Sequence, residues 1–413
     1  MTRATIGLAL RRLGEVEDLP WLAPLPPWSD RRDRQVRAVR RTARRLMRRR
    51  VVARHGWPRV LASAALWPAL ALGKSVAATR TGPRIHRSFL HSVLDLWWLQ
   101  LAHDFRIDDL YRFGVVAPAN RRTIRRWIND PKNTAMQMAL ARHAPSHAIR
   151  DKRTFAAFCA RHGLPTVPVL AAGAGDTVEH LGRDWPAADL FLKPADLWGG
   201  HGACILMHDS TAALWRDDTG RPLGPETLAA YTRERFGRGA WVLQPRLVNS
   251  PALGDLASPG SALSTVRVVT LRRTPDAAPR ILFGFMRFAL GKSPVDNLSS
   301  GGIGADYDPD TGRMRCARAS AHDCGFLTHH PDTGARIEGR VVPCWPEIAA
   351  LALRAHQTVP DIDSFGWDIA IPPGGPVLIE ANLHWCIPTD VPLGDTDYID
   401  YILAQGRAGR FRF

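Results

Sequence analysis

The residues from Ile149 onward predict an α+β fold with mainly antiparallel sheets, preceded by a basic helical N-terminal region. Three observations carry this. Short β-type runs are separated by Gly- and Pro-rich turns with only intermittent helices, the pattern of hairpins and not of a regular βαβ sheet. Residues 31–55, 57–79 and 91–105 carry helical patterning instead. The charge divides in the same way: Lys and Arg outnumber Asp and Glu by 16 to 5 over residues 1–60 and by 13 to 5 over 61–150, but stand at 26 to 29 over 151–413. The net charge of +16 therefore belongs to the first 150 residues. With 413 residues, 45% of them hydrophobic, the chain can bury one or two cores.

In chain order, residues 15–30 hold Pro20, Pro24, Pro26 and Pro27 and should be irregular or extended. From Arg31 to His55, Val36, Val39, Ala43, Leu46 and Met47 recur at helical spacing within an Arg-dense run, giving an amphipathic helix with a basic face. That face is either simply solvated or docks on an anionic membrane or an acidic partner through residues 31–60. Nucleic acid is not expected as a partner, because the larger part of the chain is slightly acidic and carries no recognition motif. The longest apolar run, Val60–Leu72, has 13 residues and contains Pro68, short of the roughly 20 that span a bilayer.

Beyond Ile149, strands fit Thr166–Ala171, Leu190–Lys193, Ala203–Met207, Trp241–Leu243, Val266–Leu271, Ile281–Ala289, Ile369–Ile371 and Val377–Glu380. Helices fit Lys152–His162, Thr211–Asp217, Pro225–Phe236 and Pro346–Gln357. The resulting division is a basic helical region (1–90), a helical segment (91–150), a first lobe (151–245) and a second lobe (246–413). Six cysteines make no C-x-x-C pair and no metal-spaced cluster, so they read as thiols of a reducing compartment. A cytoplasmic protein, peripheral at most to the inner face of the membrane, is the expectation.

Three stretches carry chemistry. In DLFLKPADLWGGHGACIL, residues 189–206, a strand ending on Lys193 runs into a turn with Gly199, Gly200 and Gly202. A lysine beside a glycine loop can hold phosphate oxygens, although an ordinary glycine hairpin has the same look. Only five of the 55 basic residues are lysines, Lys152 and Lys193 among them. In SFGWDIAIPPGGPVLIEANLHW, residues 364–385, Asp368 and Glu380 lie on two strands joined by a Pro-Gly turn, and Asn382 shares a strand face with Glu380. Two carboxylates and an amide oxygen make a hard-oxygen set suited to Mg²⁺ on nucleotide phosphates. In the third stretch, Arg267 and Arg287 interrupt apolar strands, so each needs an anionic partner: a structural carboxylate or an anionic ligand. Asp296, Asn297 and the Ser299–Gly304 turn form a polar loop beside them.

Taken together, these residues resemble the ATP-grasp superfamily, and the phrases TVRVVTL, VDNLSSGGIGA, HHPDTGARIEG and FGWDIAI…GPVLIEAN resemble its sugar-transfer-associated, α-L-glutamate-ligase-like group over about residues 100–400. The resemblance implies an ATP-grasp fold, two α+β lobes enclosing a nucleotide. It implies ATP, with Mg²⁺ or Mn²⁺, as cofactors. Lys152 and Lys193 would contact the α- and β-phosphates, and Gly199, Gly200 and Gly202 would cover them. Gln244, Arg246 and Leu247 would form the hinge at the adenine edge. Asp368, Glu380 and Asn382 would be the metal ligands, and Arg267 and Arg287 the clamps on the γ-phosphate and acyl phosphate. The implied activity is an ATP-dependent ligase that joins a small-molecule carboxylate to an amine through an acyl phosphate, acting on an amino acid, peptide or sugar-linked substrate in cell-surface polysaccharide or related biosynthesis. A sugar or polyol kinase and a non-catalytic membrane-docking module are the alternatives. After the E-x-N triplet the sequence HWCIPTDVPLGDTDY departs from the family's pattern on the acceptor side.

Overall fold

The computed structural model describes residues 31–410 apart from 83–84, 142–148, 150, 176, 182–184, 196–201, 258–259, 292, 294 and 320–325. The expected irregular segment 15–30 and the glycines Gly199 and Gly200 lie outside the described residues. The chain divides into two compact units: Met1–His143 with Ser320–Phe326 and His384–Phe413, and Ala144–Ala319 with Leu327–Leu383.

The first unit is helical. Helices α1 (Arg31–His55), α2 (Trp57–Thr81), α3 (Phe89–His103), α4 (Ile107–Arg112) and α5 (Asp130–Ala141) follow one another. Val36, Val39, Ala43 and Met47 are buried along α1, so the stripe read from the sequence is the packed one. Gly56, at φ 76°, breaks α1 from α2, and Pro58 sits in the first turn of α2 where its missing N–H costs nothing. The apolar run 60–72 lies within the helix read at 57–79, and that helix, α2, has 25 residues and is long and apolar enough to cross a membrane, which the run alone is not. Pro68 lies inside it without ending it.

A buried ion cluster holds these helices together. Lys132 of α5 donates to the Asp104 carbonyl (2.8 Å) and to Asn129 Oδ1 (3.1 Å), and its Nζ lies 3.2 Å from Asp104 Oδ2. Arg44 Nε reaches the same carboxylate at 3.0 Å. Lys132 and Asp104 are each 1% exposed. Burial lowers the Lys132 ammonium pKa against the pull of Asp104.

The second unit contains the sheets. Helix α6 (Lys152–Arg161), capped by Asp151 accepting from Arg153 N, precedes β1 (Ala171–Ala174), β2 (Thr177–His180), β3 (Leu190–Pro194), β4 (Cys204–Asp209), β5 (Leu214–Arg216), β6 (Pro222–Leu223), helix α7 (Leu228–Phe236) and β7 (Ala240–Pro245). These strands form a sheet of order β2-β1-β7-β3-β4-β5-β6. Then come β8 (Thr265–Leu271), β9 (Arg280–Phe288), β10 (Ile303–Tyr307), β11 (Met314–Ala319), β12 (Phe326–Leu327), helix α8 (Trp345–Gln357), β13 (Ser364–Ala370) and β14 (Val377–Asn382), in the order β12-β11-β10-β9-β8-β13-β14. The strand ladders among the described residues are antiparallel, as the turn pattern predicts. The α+β expectation holds.

Two sequence assignments need correction. Thr211–Asp217 is not a helix but a turn leading into β5, because Asp209 Oδ1 accepts from the backbone of Thr211 and Ala212 and Trp215 buries itself in the sheet core. The strand read at Thr166–Ala171 begins only at Ala171, since Pro165 and Pro168 remove ladder donors before it. Among the described residues, the thiols of Cys159, Cys204, Cys316 and Cys344 are not in disulfides.

The chain closes on helix α9 (Tyr398–Arg407), within the segment that clusters with the N-terminal helices. Arg32 of α1 donates to the Gly394 carbonyl and to Asp400 Oδ1, each at 2.7 Å.

Candidate active site

The second sheet has one charged face, and strand register builds it. Directly opposed residues of an antiparallel pair share a face. Across β8, β13 and β14 the register aligns Arg267, Asp368 and Glu380 in one row. The neighbouring row aligns Arg287 of β9 with Thr265 of β8. A bulge at Asp368/Ile369 matters here. Simple alternation would put Leu378 and Glu380 on one face, whereas the extra residue Ile379 lets Leu378 point into the core and Glu380 into the charged row.

Asp368 is the centre of the cluster. Its two oxygens accept from Arg267, through Nε and through Nη2 at 2.9 Å, and Arg287 Nη2 lies 3.0 Å from Oδ2. Burial alone would raise the Asp368 carboxyl, but the two guanidiniums outweigh it and hold the group well below the usual carboxylate range. The sequence left both arginines between a structural carboxylate and an anionic ligand, and the structure pairs both with Asp368. Arg287 is held from a second side as well. Its Nε donates to Thr265 Oγ1 at 2.8 Å, Thr265 donates to Asp296, and Arg287 Nε stands 3.5 Å from Asp296 Oδ2. The loop bearing Asp296 closes on Gly302, where a Cβ would meet the Asp296 carbonyl at 2.3 Å.

Glu380 is the more open carboxylate. Asn382 Nδ2 donates to its Oε1 at 3.1 Å, and Lys152 Nζ lies 3.6 Å from its Oε2. Lys152, at the first turn of α6, also donates to the Ala195 carbonyl at 3.3 Å, which fixes it against the end of β3. Lys193 is half-buried on β3 and packs its ammonium over the Phe191 ring at 5.6 Å. Burial pushes its pKa down to about 8, partly offset by Glu380, with Lys152 pushing the same way as burial. Gly202 sits at φ 78°, a conformation that glycine adopts without strain. At the hinge, Gln244 Nε2 donates to the Val167 carbonyl at 3.2 Å, Arg246 is anchored to Asp189 by its backbone N–H and by its guanidinium at 2.9 Å each, and Leu247 is half-buried.

The structure therefore brings Lys152, Lys193, Arg267, Arg287, Asp368, Glu380 and Asn382 into one network, four cations around two carboxylates, with Asp296 as a third. Such a surplus of positive charge suits a polyanion. The donor set also fits a hard divalent cation. Each carboxylate oxygen has two lone pairs, so Asp368 Oδ1, Glu380 and the Asn382 amide oxygen can take a metal without giving up the contacts described. Among the described residues no group of three or more His, Cys, Asp or Glu stands where it could hold a metal ion, so the set is two carboxylates and an amide. Sequence reasoning missed Thr265. Its signal was position, two residues before Arg267 on the same strand and so on the same face.

Comparison with known proteins bears on this geometry. The family described as sugar-transfer associated ATP-grasp matches residues 133–396. No curated protein matches the chain. Among solved structures, the chain is similar to the N5-carboxyaminoimidazole ribonucleotide synthetase of Thermotoga maritima, with 10% identity, 62% of this chain and 44% of that one covered, and a TM-score of 0.28. It is similar to an L-amino acid ligase of Bacillus licheniformis at 11% identity, over 62% and 44% of the two chains, with a TM-score of 0.30. It is also similar to the D-alanine–D-alanine ligase of Bacillus anthracis solved with ATP, at 11% identity, over 64% and 67%, with a TM-score of 0.34. The chain spans less than half the length of the first two, and scores of this size carry no argument about the site.

Proposed function

The chain belongs to the sugar-transfer associated ATP-grasp family, and from that premise we propose that it is an ATP- and Mg²⁺-dependent ligase joining a carboxylate to an amine. The observation that carries the proposal is the convergence of Arg267 and Arg287 on Asp368, with Glu380, Asn382 and Lys152 alongside. A buried anion that already commands two arginines does not need a third cation for its own stability. What the surrounding positive charge lacks is the charge of a polyphosphate.

In this reading Lys152 and Lys193 hold the α- and β-phosphates, Gly202 and the sequence positions Gly199 and Gly200 are assigned to the phosphate side, and Gln244 to Leu247 border the adenine. Asp368, Glu380 and Asn382 hold Mg²⁺ or Mn²⁺, which supplies charge neutralisation and orientation of the phosphate oxygens. Arg267 and Arg287 face the transferring phosphoryl group, aimed by the carboxylate that pairs them. A substrate carboxylate oxygen attacks the γ-phosphorus and ADP leaves with the bridging electrons. The amine nitrogen then attacks the acyl carbon, inorganic phosphate leaves, and the nitrogen loses its proton to solvent. Positioning and charge neutralisation do the catalysis. The family's association with sugar transfer supports an amino acid, peptide or sugar-linked substrate in cell-surface polysaccharide assembly.

The test is a phosphate-release screen of acids paired with amines, followed by mass spectrometry of the products. ADP, phosphate and a new amide in equal amounts support the ligase. A phosphorylated product without an amide sinks it in favour of a kinase, and failure to bind Mg·ATP sinks both.

A further inference from the structure

Helices α2 and α3 are apolar on an outward face as well as on the packed one. A helix of a water-soluble fold hides its leucines and shows its polar residues. Here the inward faces carry Ser63, Ser75 and Thr79 on α2 and Ser92 and Gln100 on α3, all buried. Gln100 Nε2 donates to Ser75 Oγ at 2.8 Å and to the Ala71 carbonyl at 3.2 Å, so polar groups and small residues join the two helices. Val60, Trp67, Val93, Leu96 and Leu99 are buried with them, and a second set of large apolar side chains points outward. Leu61, Leu90 and Trp98 are 54%, 63% and 64% exposed, and Leu66, Leu72 and Leu94 are exposed with them. On α3, Leu90, Leu94 and Trp98 follow at steps of four and so form one stripe. Large apolar patches left in the open mark an interaction surface.

The charge around the patch identifies what covers it. The segment 57–103 that forms the hairpin contains five Lys and Arg against one acid, Asp95, and α1 before it adds twelve Arg against one acid, Asp33. Both acids are already paired, Asp33 with Arg126 and Asp95 with Arg121 and His86. A second copy of the chain would bring an equally positive surface against this one, at a repulsive cost. An anionic surface would be drawn to it. Exposed leucines and tryptophan on a net-positive hairpin that follows an arginine-dense helix match the composition of helices that lie in the headgroup layer of a membrane.

We propose that the α2–α3 hairpin docks on an anionic lipid bilayer, its outward leucines and Trp98 entering the acyl boundary and the arginines around them meeting the headgroups. Helix α2 lies along the membrane and does not cross it, because Val60, Trp67, Ala71 and Ala78 keep one of its faces packed on protein. The proposal stands independently of the ligase reading, since none of its residues belongs to the nucleotide site.

The test uses the full chain with vesicles of phosphatidylcholine alone and of phosphatidylcholine with phosphatidylglycerol, read by co-sedimentation. The wild type should pellet with the anionic vesicles only, and less in high salt. Leu90→Asp with Trp98→Asp should lower binding about tenfold or more, with Mg·ATP binding unchanged. Leu90→Ser with Trp98→Ser gives the same reading should the aspartates prevent folding. No pelleting with anionic vesicles, equal pelleting with neutral ones, or no change in the double variants would overturn the proposal. So would a lipid-free dimer that these substitutions dissociate, which would assign the face to a second copy.

Discussion

Two buried ion clusters, one in each unit, show what separates a charge network that holds a fold from one that does chemistry. Around Lys132 and Asp104 the charges are sealed, each 1% exposed, and their hydrogen bonds run to neighbouring backbone and side chains. Around Asp368 the innermost charges are sealed too, but the cluster opens outward, through Lys152 at 11% and Glu380 at 26% side-chain exposure. The two have nearly the same ingredients. The difference lies in which members face out: the first cluster is closed to solvent, and the second opens through an ion pair, Lys152 with Glu380.

The comparison can be broken first at Asp368. Asp368→Asn should cost about 3–5 kcal/mol of stability by leaving two buried arginines uncompensated, and should lower ATP turnover about a hundredfold or more. Glu380→Gln should lose turnover alone. Denaturant unfolding beside phosphate-release kinetics checks both, and equal stability losses would show that the two carboxylates do not differ as described. The sequence by itself predicts that both substitutions spare the fold; the Arg267 and Arg287 contacts change that for Asp368. Lys132→Met should lower stability by about 3 kcal/mol while leaving the Mg·ATP dissociation constant of the folded protein unchanged. A matching loss of affinity would make the sealed cluster part of the site.

That Asp368, Glu380 and Asn382 come together was legible from two strands joined by one turn, and Lys152 and Lys193 stood out because the chain has only five lysines. Gly199 and Gly200 lie outside the described residues. The bulge that turns Glu380 into the charged row was not legible, since it reverses the simple alternation of β14. Nor was the partner of Arg267, which sits 101 residues away and is set by strand register alone. Both helices of the α2–α3 hairpin were legible, but the outward apolar face was not. A run of leucine, alanine and tryptophan looks the same whether it faces a core or a membrane, and only exposure separates the two.

Smaller effects sharpen the picture. Lys193 titrates near pH 8, below the ordinary lysine value, so its positive charge is present below that pH and lost above it. Affinity for ATP should therefore fall on the alkaline side by up to about tenfold per pH unit, with the transition moved upward once the polyanion is bound. Lys193→Arg should flatten the profile, and an unchanged profile would remove Lys193 from phosphate binding. The same shift bears on stability: a lysine with a depressed pKa destabilises the fold while charged, and that cost is relieved as pH rises from about 8 to 10.5. Thr265→Val should cost about 1 kcal/mol and raise KM for ATP several-fold, because Arg287 keeps Asp296 and Asp368 but loses one of its guides.

The hairpin of β13 and β14 has a consequence for how the protein is made. Asp368 and Glu380 are 12 residues apart and can meet as soon as this one hairpin closes. Arg267 and Arg287 must find it across far longer loops, and such contacts form slowly. Where the hairpin closes first, two carboxylates stand side by side before the guanidiniums arrive to answer them. Mild acid, which discharges carboxylates in the nascent hairpin, should speed this step of refolding even as it weakens the finished protein. The anionic pair would then act as a brake on its own assembly, released by the docking of β8.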